Sequence, residues 1–185
     1  MTSIALGTQL AAPSGYRNLI TGVTYYFLCS RASTGSVLLI HFVQRPSKKK
    51  TYKSQKKPKR NVTPEPITLL VALPREAFES AIGTSIVVNT EQHSLPPWLA
   101  PLQGKELPKL SLEDRKVKPD HRARIARKLA AIRPLIHRYR TVLDAANPER
   151  ELNTYIRKHH PKLHQTRVRL WFYCYLLFGR NRDAL

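Results

Sequence analysis

Acidic side chains are scarce in this chain of 185 residues. Asp and Glu number 12 against 32 Lys and Arg, a formal charge of +20. A chain this basic repels itself, which argues against a typical soluble metabolic enzyme and for a polyanionic partner. Cysteine is almost missing. Cys29 and Cys174 cannot build a disulfide framework, so a reducing cytosol is expected. Long apolar runs are missing too. The longest, Leu170 to Phe178, is bracketed by Arg167, Arg169, Arg180 and Arg182. It is shorter than the roughly 18 residues a bilayer span needs, so it reads as a buried helix and no membrane partner is expected. Met1 to Leu10 has no charged start followed by an apolar stretch, so secretion is not expected. Apolar residues, by contrast, make up 42%, which excludes wholesale disorder.

The charge is unevenly placed. Residues 1–60 carry 11 basic and no acidic side chains, residues 61–110 carry 3 and 5, and residues 111–185 carry 18 and 7. Two basic blocks flank a near-neutral middle. Within the first, Lys48, Lys49, Lys50, Lys53, Lys56, Lys57, Lys59 and Arg60 fall in a segment, 44–66, with no apolar content fit for a core. It reads as a basic loop inserted between strands, able to attract phosphate without reading sequence.

The segment around that loop reads as β structure. Tyr16 to Cys29 and Val37 to Val43 suit an antiparallel hairpin with a turn at Ser33, Thr34 and Gly35. Ile67 to Leu73 is a third strand candidate, Pro74 to Ile82 a short helix with Pro74 in its first turn, and Thr84 to Thr90 a further β run. Residues 1–95 are therefore expected to form a small β module, a barrel or a curled sheet. Pro96, Pro97, Pro101 and Pro108 mark a linker over 96–110.

From 111 to 180 the pattern turns helical. Asp120 suits an N-cap for a helix through Ile125, Leu129 and Ile132, which Pro134 should kink or divide, with a second piece running to about Ala146. Asn147 and Pro148 make a strong helix start, followed by Glu149 and Glu151 at the positive end and by Leu152, Tyr155 and Ile156 facing inward. That helix should stop at His160. A turn, Pro161 to His164, leads to a last helix, Gln165 to Phe178, with Gly179 as its C-terminal cap. Helix, tight turn and a second helix with a polar, basic start form a helix-turn-helix pattern. Three-four spacing puts Val168, Trp171, Phe172 and Tyr175 on an inward face and Thr166, Arg169, Leu170 and Tyr173 on the opposite one. The fold class is thus α+β.

Three stretches carry a family resemblance: Ala131-Ile-Arg-Pro-Leu-Ile136, Asn147-Pro-Glu-Arg-Glu-Leu152, and Gln165 through Gly179 with its aromatic-rich helix. They resemble the N-terminal part of TnsB-type transposases, recombinases of the Mu-like, integrase-fold group that includes those of CRISPR-associated transposons. The Tyr16-Arg17 start of the β module is similar as well. The lysine-rich insertion departs from the family pattern. The resemblance implies sequence-specific binding of double-stranded DNA at transposon-end repeats, further copies of the transposase on that DNA, and a prokaryotic, nucleoid-associated setting in the cytoplasm. In the family a catalytic domain follows, where three acidic residues hold two metal ions. The 12 carboxylates here do not fall on successive strands of such a sheet, so this chain is not expected to cut or join DNA. Magnesium is expected only for that absent domain, no cofactor is expected for this chain, and a fragment of a longer protein is expected.

In this frame Arg167 and Arg169 are the candidates for pairing with guanine O6 and N7. Gln165 and Thr166, at the helix start, suit base or phosphate contact, while Lys162, His164, Arg157 and Lys158 suit backbone contact. His159, His160, His164 and Cys174 match no common zinc spacing. Cys29 with His41 reads as a buried thiol beside a strand histidine rather than a nucleophile and base. The rival function is an RNA-binding or ribosome-associated protein, with Tyr25, Tyr26 and Phe27 stacking bases.

Overall fold

The computed structural model describes residues 4–44, 66–90, 119–180 and 182–185. In chain order these form β1 (Gln9–Ala11), β2 (Tyr25–Arg31), β3 (Ser36–Val43), β4 (Ile67–Pro74), α1 (Arg75–Gly83) and β5 (Val88–Asn89). Then come α2 (Pro119–His137), α3 (Tyr139–Asp144), α4 (Pro148–His159), α5 (Gln165–Leu177) and a short 3-10 turn at Arg182–Ala184. The protein is α+β, a small N-terminal sheet followed by helices.

The sheet is antiparallel throughout, in the order β4-β3-β2-β1-β5. It is open rather than a barrel: β4 and β5 stand at opposite ends, and no pairing joins them among the described residues. The long β run expected at Tyr16 to Cys29 starts only at Tyr25, because Tyr16 and Leu19 close a tight turn on each other. The β run expected from Thr84 shrinks to two residues, since Ser85 takes a positive φ of 57° as the chain leaves α1. β1 was not foreseen. Between Phe27 and Cys29 the register with β3 shifts, leaving Leu28 as a bulge.

Both faces of the sheet are covered, which is why Val37 to Ile40 reads as an unbroken apolar run and is buried throughout. Tyr25, Val37, Leu39 and Leu73 pack with Leu10, Leu19, Val87 and, from α1, Phe78 and Ala81. On the other face Tyr26, Leu28, Leu38 and Ile40 pack with Ile132, Leu135, Val142, Leu152, Ile156, Val168, Phe172 and Leu176. The linker expected at 96–110 lies outside the described residues. The segments on either side of it share this second cluster.

Among the described residues α2 runs from Pro119 through Pro134 to His137, so the expected cap Asp120 lies inside the helix. A mid-helix proline costs about 3 kcal/mol, but Ile132 and Leu135, both fully buried, hold the turn on either side of it. The break falls at Arg138 instead, and α3 ends at Asp144 rather than Ala146. α4 follows expectation closely. Asn147 Oδ1 accepts from the Arg150 amide at 3.0 Å, Pro148 opens the helix, and Leu152, Tyr155 and Ile156 are buried. α5 ends at Leu177, with Gly179 just beyond it at φ +76°. Gly7 ties the N-terminal segment to this end: a Cβ there would lie 2.9 Å from the Leu177 carbonyl oxygen. No helix among the described residues is long and apolar enough to cross a membrane.

Candidate nucleic-acid interface

The end of α4, the turn and the start of α5 bring most of the candidates that fall among the described residues to one end of the helical layer. The turn is built from its own backbone: His160 N donates to Ile156 O at 2.8 Å and Leu163 N to His160 O at 2.9 Å. Arg157, Lys158, Lys162, His164 and Arg167 are exposed there, and Gln165 and Thr166 are half-buried. From Leu152 to Arg182 the chain has no acidic residue. No side chain caps the first turn of α5, so its positive end is open to an anion. His164 Nδ1 and Thr166 Oγ1 lie 2.6 Å apart, a hydrogen bond that ties the two side chains together at the helix start.

The body of α5 departs from the expected two faces. Leu170 and Tyr173, placed outward by spacing, are buried, Tyr173 fully. Trp171 and Tyr175, placed inward, are only partly buried. The reason is packing on every side: α5 lies against α2, α4, β4 and the 3-10 turn. Arg169 is drawn in with them. Its side chain is 14% exposed and its Nη1 meets Glu149 Oε2 at 3.1 Å. Arg167 remains on the exposed side of the first turn. Lys48, Lys49, Lys50, Lys53, Lys56, Lys57, Lys59 and Arg60 lie outside the described residues.

A polar seam runs between α4 and α5. Glu149 and Asn153 are one turn apart on α4, and Arg169 and Tyr173 are one turn apart on α5. Asn153 Oδ1, Arg169 Nε and the Tyr173 hydroxyl are buried with no hydrogen-bond partner. Burial, the largest influence, raises the pKa of the Tyr173 phenol, and Glu149 adds to it.

No protein-family model matches the sequence, and no curated protein matches it. The histidines beside the turn serve packing: His159 and His160 stand 4.7 and 5.8 Å from the Tyr155 ring. Among the described residues no three His, Cys, Asp or Glu side chains gather as a metal site. Cys29 belongs to the helix-facing cluster, where burial pushes its thiol up to about 11, whereas His41 meets Tyr25 of the opposite face, ring centroids 5.0 Å apart and tilted by 50°. The two cannot meet. Tyr25 and Tyr26 are buried and Phe27 is half-buried, so the base-stacking platform that supported the RNA-binding alternative is absent from these strands.

A second basic group was not read from the sequence. Where α2 breaks, Arg138 lies over the Tyr155 ring at 5.4 Å. Next to it Tyr139 is flanked by Arg180 at 4.8 Å and Arg140 at 5.9 Å. Arg140 Nε donates to the Tyr139 hydroxyl at 3.1 Å, and that bond is the main reason the phenol's pKa falls below its usual value. Arg138, Tyr139 and Arg140 edge an open cleft of about 930 Å³ that also reaches Cys29, Arg31, Asp144 and Glu151. Arg31 is buried, its guanidinium donating to Ser36 Oγ and to the Ala145 carbonyl. The Arg-Tyr-Arg tripeptide was the available sequence signal.

Proposed function

We propose that this chain binds double-stranded DNA in a sequence-specific way, as the part of a transposase that recognises transposon ends. The observation that carries the reading is the acid-free end of the helical layer, where Arg157, Lys158, Lys162, His164 and Arg167 are exposed around the uncapped start of α5. Basic side chains and an open helix N-terminus suit phosphate, and the first turn of such a helix is what a helix-turn-helix protein offers to base edges. The buried body of α5 supports this division of labour, since it anchors the helix while its start stays accessible. Arg167, with Gln165 and Thr166, takes the base-reading role. Arg169 holds Glu149 and orients α5. The TnsB-type resemblance supplies the transposon end as the target and further transposase copies as partners. The proposal assigns binding, not strand cleavage, to these residues.

The test is selection from a random duplex library, followed by isotherms on the enriched and a scrambled duplex at one salt concentration. One motif should be enriched, and it should recur as repeats at the ends of a mobile element. Arg167→Ala should then lower affinity for the enriched duplex by roughly 1–3 kcal/mol while barely changing the scrambled one. A library that yields no motif would sink the sequence-specific reading. A tighter complex with structured RNA than with any duplex would move the function to the rival class.

A further inference from the structure

The arginines around Tyr139 gather positive charge at one exposed place. Arg140 and Arg180 come from segments far apart in the chain, yet both guanidiniums converge on one phenol ring. Among the described residues neither forms an ion pair with a carboxylate. Of the two acids bordering the cleft, Asp144 accepts from Ser33 Oγ at 2.8 Å and Glu151 is exposed to solvent. The ring face holds both cations in place, and like charges gathered at one exposed site attract an anion. Backbone strain points the same way. Arg180 sits at φ +55°, directly after Gly179, in a region that non-glycine residues seldom occupy and that tends to mark functional positions.

The cluster is continuous with the basic end of the helical layer. Arg138 covers Tyr155, and Tyr155 contacts His159 and His160, which lead into the turn carrying Lys162 and His164. We infer that Arg138, Arg140 and Arg180, gathered around Tyr139 and Tyr155, form a second contact surface for the phosphate backbone of duplex DNA, extending the path of the duplex from the start of α5 to the break between α2 and α3. This inference rests on the DNA-binding function proposed above and adds a surface that holds DNA without reading its sequence. Guanidinium forks match phosphate geometry, and the aromatic rings keep them in place at little entropic cost.

The test compares the full chain with a variant carrying Arg138→Gln, Arg140→Gln and Arg180→Gln, on random and enriched duplexes over a range of salt. The variant should lose affinity for both duplexes by the same factor. Its plot of log affinity against log salt should be shallower by about 2–3 units, near 0.9 per lost phosphate contact. The matching Arg→Lys variant keeps the charge and should retain most of the slope. If the triple variant does not fold, Arg140→Gln alone should flatten the slope by about one unit. A well-folded variant with unchanged affinity and slope overturns this surface while leaving the first intact. A wild-type chain that binds no duplex overturns both.

Discussion

The last two helices are neighbours of similar length and opposite character. α4 is wet on one side and buries Leu152, Tyr155 and Ile156 on the other, whereas α5 buries side chains around its whole circumference. The difference separates two jobs. α4 carries charge out to solvent at its C-terminal end, where Arg157 and Lys158 also complement the negative end of the helix. α5 is a pin through the core, and only its first turn, at Arg167, is exposed to solvent.

The largest effect should come from cutting the pin. Phe172 is fully buried, so Phe172→Ala should cost about 3–5 kcal/mol in urea unfolding. Trp171, partly exposed with Lys128 Nζ 5.5 Å from its ring, should cost about 1–2 kcal/mol on the same change. Equal losses would mean that α5 is not packed as described. The next test concerns the seam between the two helices. Tyr173→Phe removes a buried, unpartnered hydroxyl and should raise stability by up to about 2 kcal/mol. A loss would show instead that water bridges the hydroxyl to Asn153 and Arg169. The smallest contrast lies at the helix starts. Asn147→Ala should cost about 1 kcal/mol because its side chain caps α4. His164→Ala, which removes no cap from α5, should change stability by less than about 0.5 kcal/mol.

The same contrast explains what could be read from the sequence. α4 announces itself through Asn147-Pro148, two early acids and a three-four apolar pattern, each a local signal with a local cause. α5 has apolar residues at nearly every position after Arg169, so no periodicity distinguishes its faces, and its neighbours decide which side chains are covered. Arg169 was misplaced for that reason: its position depends on Glu149, twenty residues earlier. β3 and β4 were legible as apolar runs bounded by turns. β1, three residues long, and the bulge at Leu28 are products of pairing and leave no mark in composition. The Tyr139 cluster escaped notice because Arg180 reaches it only after the chain has folded back through α4 and α5.

The shared cluster between sheet and helices also sets a timetable. Tyr26, Leu28, Leu38 and Ile40 leave the ribosome early, but Phe172 and Leu176, which cover them, follow more than a hundred residues later. At a synthesis rate of about 5–20 residues per second that interval is on the order of ten seconds. For most of it one side of the nascent sheet lacks a complete helical layer to rest on, since Ile132 and Leu135 emerge some ninety residues after Ile40, and contacts so distant in sequence form slowly even when the chain is complete. The newborn protein therefore depends on whatever shields an apolar sheet during those seconds, and its yield in a cell should respond to chaperone supply and translation speed more sharply than its final stability would suggest.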